Sequence, residues 1–256
     1  MSERGRDRAL ATVLVALLAA PLAVLVVQAL ADSWRAPGLL PDRLGWRGFE
    51  VAFGGTGAGE ALRNSALVAF ATTVISLALA WPAARVLGLR RLPRNGVVVL
   101  LIALPLLMPP YLAGFGLTEW FIRLGIADSW VGLVLSHVTF ALPYAIAILM
   151  SGFGRPVEEL EEMAMTVGAG PLDRLRWVTL PAVLPALAAA ALLSFLVSWS
   201  QYGTSLVLGG GRPTLPIVML PFVRSDPQVA ATLGLLFLAP CLLALGFVAS
   251  AQRRPL

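Results

Sequence analysis

The sequence predicts an all-α membrane protein with six transmembrane helices. Of its 256 residues, 58% are hydrophobic and only 13% are charged, and the mean hydropathy is +0.84. This exceeds what the core of a soluble protein of that size requires. The apolar residues fall into long runs of the length that crosses a bilayer, about 20 residues, and short polar intervals separate them.

The net charge of +5 could indicate a nucleic-acid partner. The arginines are instead dispersed in the intervals between apolar runs and form no basic face or tail. The sequence therefore predicts no nucleic-acid binding. Cys241 is the only cysteine and lies in an apolar run. It excludes an intrachain disulfide and predicts packing, not chemistry.

The first span is predicted over residues 9–30, after Arg4, Arg6 and Arg8. A signal peptide is the alternative, because Ala29-Leu30-Ala31 has the small residues of a cleavage site. The apolar run is longer than the signal-peptide norm of about 7–15 residues, which favours an uncleaved span. Residues 32–60 predict a loop with a short interfacial helix near 46–53, whose tryptophans are typical headgroup anchors.

The second, third and fourth spans are predicted over residues 61–84, 97–117 and 130–152. Pro109-Pro110 removes two backbone donors inside the third span, so we expect a kink or an unwound segment there. Such a break is tolerated against protein or water and indicates a pathway, with simple helix bending as the alternative. Residues 118–129 predict a short loop. His137, the sole histidine, is interpreted as a polar packing or pathway residue of the fourth span.

The fifth and sixth spans are predicted over residues 182–201 and 229–251, with a re-entrant or interfacial excursion between them at 209–221. This divides the chain into an N-terminal span with its loop (1–60), a core of five spans (61–251) and a tail (252–256). Twelve of the 19 arginines lie on the side of the N-terminus. The positive-inside rule then places both termini and the 154–181 interval in the cytoplasm.

The interval at 154–181 is the densest polar stretch between apolar runs. Val157, Leu160, Ala164 and Val167 recur at helical spacing after Pro156, which predicts a short helix with acidic residues near its start. Gly168 and Gly170 supply a turn. A second short helix is expected to start at Pro171 and to be limited by Pro181.

This interval resembles the EAA motif of permease subunits in binding-protein-dependent ABC importers. The family pattern, E-A-A, three residues, G, nine residues and I-x-L-P, is matched by Glu162-Met163-Ala164, Gly168 and Val178-Thr179-Leu180-Pro181. Met163 and Val178 depart from the commonest letters but are apolar. The resemblance implies the type I importer permease (MetI-like) fold and a cytoplasmic coupling helix that seats in a groove of an ATPase. We expect Glu162, Ala164 and Gly168 to form the docking core, and Leu180-Pro181 to end the loop and redirect the chain.

The resemblance also implies an ABC ATPase dimer, an identical or sister permease, an extracytoplasmic solute-binding protein and membrane lipid as partners. The chain has no lysine and hence no G-x-x-x-x-G-K-[ST] motif. ATP and Mg²⁺ are therefore expected on the partner ATPase, with no cofactor, no metal and no catalytic residue in this chain. The protein is predicted to reside in the bacterial cytoplasmic (inner) membrane.

Polar residues around the end of the fifth span are candidates for the solute pathway, although interhelical hydrogen bonding is the alternative. They are Ser194, Ser198, Trp199, Ser200, Gln201, Tyr202 and Thr204. The stretch SFLVSWSQYGTSLVLGGGRPTLP resembles the spermidine and putrescine group of permeases, which implies a polyamine or another small organic solute. Permeases for sugars, iron, thiamine and phosphonates share the general plan and remain alternatives.

Two other classes fit the sequence less well. An intramembrane hydrolase would need a nucleophile and a base in contact, but Ser136 and His137 are helix neighbours that point about 100° apart. An ion-coupled secondary transporter typically carries acids inside its spans, whereas here the acids lie in loops or at span ends. Both observations favour an external energy source.

Overall fold

The structure is a computed structural model that describes residues 3–35, 37–89 and 95–252. Its elements are almost all helical, as predicted. Two very short strands in the first extramembrane loop, β1 (Ala31–Ser33) and β2 (Arg43–Leu44), are the exception and pair antiparallel. The arginine-rich loop at 90–94 and the final residues 253–256, which contribute to the predicted orientation, lie outside the described residues.

Five helices of the described chain are long and apolar enough to cross a membrane, and a bent pair makes a sixth span. The helices that contain the five spans are α1 (Glu3–Ala29), α3 (Ala58–Gly88), α6 (Trp130–Gly152), α9 (Leu180–Trp199) and α13 (Pro227–Gln252). The bent pair is α4 (Asn95–Leu107) and α5 (Pro110–Arg123). The six predicted spans are confirmed.

Shorter helices fill the intervals. The interfacial helix predicted near 46–53 is α2 (Arg47–Gly54). The interval at 154–181 contains α7 (Arg155–Thr166) and α8 (Pro171–Arg174). The excursion expected at 209–221 contains α11 (Leu215–Met219). Two short helices that were not predicted flank it, α10 (Gly203–Leu208) and α12 (Phe222–Ser225).

The expected break in the third span is confirmed, and it is large: α4 and α5 meet at 100°. Pro109 and Pro110 explain it, since neither can donate a backbone hydrogen bond and a proline ring clashes with the carbonyl four residues earlier. The predicted loop at 118–129 is wrong in its first half. α5 continues through Arg123, because Pro110 starts a fresh helix whose first turn tolerates a proline.

The chain folds into two compact units. In the first, residues 1–62 and 215–240, the Arg47 guanidinium donates two hydrogen bonds of 2.8 Å to the Asp226 carboxylate. The Arg47 hydrogen bond is the main cause that holds the pKa of Asp226 below its usual range. Asp226 also precedes α13 and accepts the Val229 N–H, so one carboxylate both caps a helix and binds Arg47.

The second unit, residues 63–214 and 241–256, holds the largest apolar core. In it α3, α6 and α9 pack through small side chains, including Ala84, Ala145 and Ala190. A Cβ added at Gly152 would lie 2.6 Å from the Cβ of Ala186, so the backbones of α6 and α9 approach closely there. Such small-residue contacts are typical of helix packing in membranes.

Candidate functional site

We call the segment between α6 and α9, residues 154–181, the coupling loop. α7 ends in a turn at Gly168, whose φ of +83° is the left-handed conformation that glycine adopts without strain. The turn predicted from Gly168 is therefore confirmed. Gly170 contributes differently, since it precedes α8 with a φ of −68° that any residue can adopt.

The second helix of the loop differs from the prediction. α8 runs through a π-helical turn at Leu175–Thr179 directly into α9, so the chain is helical from Pro171 to Trp199. Pro181 does not end the loop, and Leu180-Pro181 does not redirect the chain. The N–H of Leu180 donates to the carbonyl of Leu175, five residues back, so the turn is wider than a regular α-helical turn. This wide turn directly precedes Pro181, whose ring would crowd a regular turn.

One face of α7 is fixed to the membrane helices by a buried carboxylate. Glu161 is 8% exposed, and both of its oxygens accept hydrogen bonds from the Arg85 guanidinium in the last turn of α3, at 2.8 and 2.5 Å. The Thr179 hydroxyl in the π-helical turn donates to the same carboxylate at 2.5 Å. Glu161 thus joins three elements: α3, α7 and the start of α9.

Burial by itself would raise the pKa of Glu161. The hydrogen bonds from Arg85 and Thr179 and the positive charge of Arg85 outweigh it and hold this pKa below its ordinary value. The carboxylate is therefore ionised at neutral pH and forms a true ion pair. Arg85 also lies over the Phe153 ring at the end of α6, 6.0 Å from its centroid, which brings α6 into the same junction.

The opposite face of the coupling loop is exposed and apolar. Val167 and Leu172 are 83% and 79% exposed, and Met163 and Trp177 are also mostly exposed. Glu162, the acidic residue of the predicted docking core, is exposed beside them, as is Gly168, while Ala164 is half-buried. Large exposed apolar side chains rimmed by charge mark an interaction surface.

A second cluster lies where α9 ends. The chain leaves helical geometry at Ser200 and re-enters it at Gly203, and the His137 imidazole of α6 bridges this interruption. Nδ1 lies 2.8 Å from the Ser198 hydroxyl and Nε2 lies 2.8 Å from the Ser205 hydroxyl. Ser205 donates to the Gln201 carbonyl, so the consistent arrangement has Nε2–H donating to Ser205 and Nδ1 accepting from Ser198.

A cavity of about 250 Å³ opens beside this cluster. The broken span contributes Leu106, Met108 and Pro110 to its lining, and α6 contributes Phe140 and Tyr144.

The end of α9 supplies the cavity's remaining polar surface through Ser200 and Gln201. Ser200 donates its hydroxyl to the Leu196 carbonyl. Gln201 is 8% exposed, and its amide nitrogen is buried without a hydrogen-bond partner among the described residues. A buried donor in that state is rare and calls for a functional explanation.

Some of the predicted pathway residues line this cavity and others do not. Gln201 and Ser200 line it, whereas Ser198 is held by His137 and Trp199 is 2% exposed and stacked on Phe195. Ser194 and Thr204 are buried away from the lining, and Tyr202 is half-buried. Residue-level prediction missed Arg85, Glu161, Thr179 and Tyr144. It also missed Ser205, and it named Ser198 without its partner His137.

Among the described residues, no group of three His, Cys, Asp or Glu side chains is placed to hold a metal ion.

The chain has relatives among known proteins. No family model matches the chain. ORF1 of Streptomyces antibioticus, named as an ABC transporter permease protein, is 36% identical over 205 residues, which cover 76% of this chain and 86% of that protein. The molybdenum transport system permease ModB of Mycobacterium tuberculosis is 31% identical, covering 76% of this chain and 80% of ModB. The putrescine transport system permease PotI of Escherichia coli is 33% identical and covers 68% of each chain.

The fold also matches a solved structure. A chain of a bacterial ABC transporter involved in the import of the acidic polysaccharide alginate superposes with a TM-score of 0.74 at 17% identity, over 98% of both chains. At that identity the likeness shows the fold, and the sequence relatives show the family. The chain belongs to the family of ABC transporter permease subunits.

Proposed function

We propose that this protein is the membrane-spanning permease subunit of an ATP-driven importer in the bacterial inner membrane. Its coupling loop docks on a cytoplasmic ATPase, and both termini lie on the ATPase side of the membrane. The chain forms half of the solute pathway, and an identical or sister permease forms the other half. ATP and Mg²⁺ bind the ATPase dimer, and a solute-binding protein delivers the solute from outside. The observation that carries this proposal is the exposed apolar surface of the coupling loop in a chain related to ABC transporter permeases.

The docking surface combines the two properties that a rigid contact needs. Met163, Val167 and Leu172 offer apolar area that a groove on the ATPase would bury, and Glu162 offers a charge at its edge. The glycine turn at Gly168 leaves open space, since a Cβ there would meet no atom within 4 Å. We propose that this space accommodates the close approach of the partner's backbone. Ala164 lies half-buried beneath the surface and sets the distance between α7 and the helices below it.

Leu180 and Pro181 have a different role in this proposal. They lie in the first turn of α9, directly after the π-helical turn. There they transmit displacement of the coupling loop along a continuous helix and do not mark its end. Coupling then moves α7, α8 and α9 together.

The solute pathway is proposed to pass the cavity beside Gln201. Ser198, Trp199, Tyr202 and Thr204 support this wall from behind, and Gln201 faces the solute. The solute has two candidate classes. One is a polyamine, as the resemblance to the spermidine and putrescine group and the PotI relative suggest. The other is an oxyanion such as molybdate, as the molybdate/tungstate transport system permease WtpB of Pyrococcus abyssi suggests.

Co-purification and hydrolysis test the coupling assignment. We expect Glu162→Lys, or Gly168→Val, to leave the chain in the membrane but to lower its recovery with the ATPase and to abolish solute-stimulated ATP hydrolysis. Valine at a φ of +83° is strained, and it also fills the proposed contact. Glu60→Lys is the matched control, because it reverses a charge at an exposed residue outside the coupling loop. Normal recovery and normal stimulated hydrolysis of both coupling-loop variants would refute the assignment.

A further inference from the structure

The cavity beside Gln201 contains two features that select a class of solute, and the inference drawn from them rests on the proposed function. The first is the buried amide nitrogen of Gln201, a hydrogen-bond donor without a partner in the described chain. A donor is satisfied only by an acceptor. A protonated amine has N–H donors and no acceptor, so it leaves this nitrogen unpaired.

The second feature is the start of α5. The break at Met108-Pro109 leaves this 14-residue helix with its N-terminus at the cavity, where both Met108 and Pro110 belong to the lining. No side chain caps this end. Pro109 and Pro110 have no N–H, so the free donors of this end begin at Tyr111, and the aligned peptide dipoles of the helix add partial positive charge. Discontinuous membrane helices present such ends to anionic groups.

The lining contains no charge that would oppose an anion. None of the eight residues that line the cavity is acidic, and its polar groups are the amide of Gln201 and the hydroxyls of Tyr144 and Ser200. The amide of Gln201 and the hydroxyl of Tyr144 can donate hydrogen bonds to an oxygen, whereas the proton of Ser200 is already donated to the Leu196 carbonyl. The absence of a full positive charge in this lining keeps the site weak, as a transport pathway requires, because a tightly held ion would not leave.

The backbone of Gln201 is held in place independently of the solute. Its main-chain carbonyl accepts the hydroxyl of Ser205, and Ser205 is fixed by His137. A Cβ added at Gly203 would lie 2.7 Å from the backbone nitrogen of Tyr111 and 3.1 Å from the carbonyl carbon of Pro110. The chain after Gln201 therefore lies directly against the start of α5. The amide and the helix end belong to one packed wall.

We infer that this cavity binds an oxyanion group of the transported solute, with Gln201 as a hydrogen-bond donor and the N-terminus of α5 as the source of positive potential. The importer accordingly carries an oxyanion and not a polyamine. The oxyanion can be inorganic or part of an organic molecule, since both offer the same acceptor oxygens.

The test is uptake into cells that express the complete importer, measured per assembled complex recovered from the membrane. Radiolabelled molybdate, methylphosphonate and putrescine are the probes, so the first two distinguish an inorganic from an organic oxyanion. We expect uptake of an oxyanion and none of putrescine. Gln201→Leu should lower that uptake about tenfold or more, the effect of losing one hydrogen bond to a charged group. Gln201→Glu, of nearly the same shape, should lower it further because the carboxylate repels the anion.

Three results would overturn the inference: uptake of putrescine without oxyanion uptake, oxyanion uptake unchanged in both variants, or a gain of putrescine uptake in Gln201→Glu above the wild type. These differ from failure of the proposed function. In that case the wild-type chain would not assemble with an ATPase, and its deletion would leave every uptake unchanged.

Discussion

The junction at Glu161 predicts how the coupling loop is held to the membrane helices. Replacing Glu161 by Gln keeps the size of the side chain but removes its charge and one acceptor oxygen. Arg85 then faces an amide, and one of its two short hydrogen bonds is lost. The substitution therefore changes only the contacts of residue 161 with Arg85 and Thr179.

The magnitude follows from the burial of the pair. Removing one partner of a fully buried ion pair costs about 3–5 kcal/mol, and one hydrogen bond to a charged group contributes about 1.5–3 kcal/mol. The side chain of Arg85 is 32% exposed, so water compensates part of its loss. We expect about 2 kcal/mol for Glu161→Gln. At about 2–4 °C per kcal/mol for a chain of this size, the midpoint of thermal unfolding should fall by about 4–8 °C.

The assay is thermal unfolding of the purified chain in detergent, followed by tryptophan fluorescence. Glu162→Gln is the matched control, because Glu162 is the next residue, carries the same charge and is exposed. It should change the midpoint little, since exposed charges contribute little to stability. If the two variants melt at the same temperature, Glu161 does not stabilise the junction and the reasoning is refuted.

The same pair predicts a pH dependence. The folded-state pKa of Glu161 lies below its ordinary value of 4.5, so its contribution to stability is fully present above pH 4.5. It is lost as the pH falls through the folded-state value, because protonation breaks the ion pair. Wild type and Glu161→Gln should therefore converge in stability below pH 4.5, and a difference that grows on acidification would contradict the assignment.

Three further predictions concern other contacts. His137→Ala removes one hydrogen bond from each of two buried hydroxyls and opens space, so it should cost about 3 kcal/mol in thermal unfolding, whereas Ser205→Ala should cost about 1 kcal/mol. Equal midpoints for wild type and His137→Ala would contradict this. Gly203→Ala should lower solute uptake, because the added Cβ would collide with the backbone at the start of α5. Gly116→Ala is the control and should not change uptake, because its Cβ would meet no atom within 4 Å. Equal uptake by the two variants would show that the close contact between Gly203 and α5 does not matter for transport. Asp226→Asn weakens both the half-exposed ion pair with Arg47 and the cap of α13, so it should cost about 1–2 kcal/mol in the same unfolding assay. A midpoint equal to that of the wild type would show that neither contact stabilises the fold.

The number and approximate limits of the spans could be predicted because the bilayer imposes a length on every apolar run. The sharp break at Pro109 and the turn at Gly168 were also predictable, since proline and glycine act on the backbone locally. The continuity of α8 and α9 was not. Whether a proline ends a helix or is preceded by a π-helical turn depends on what packs around it, and in the folded protein Thr179 is buried against Glu161.

The site residues were harder to predict because their roles depend on distant partners. Glu161 and Glu162 are adjacent and chemically identical, and only Arg85, 76 residues earlier in the chain, distinguishes the buried one from the exposed one. His137 likewise finds its partners 61 and 68 residues away. No local pattern encodes these pairings. Gln201 could be proposed from its polarity, but its unpaired amide became visible only with the cavity around it.

α9 connects the Glu161 junction with the cavity beside Gln201. The π-helical turn before it carries Thr179 of the Glu161 junction, and the chain after it carries Gln201 of the cavity. Its 20 residues span about 30 Å, close to the thickness of the hydrocarbon core. The close approach at Gly152 and Ala186 resists sliding of α9 along α6, because interlocked small residues leave no free volume. Displacement of the coupling loop should therefore move α6 and α9 together.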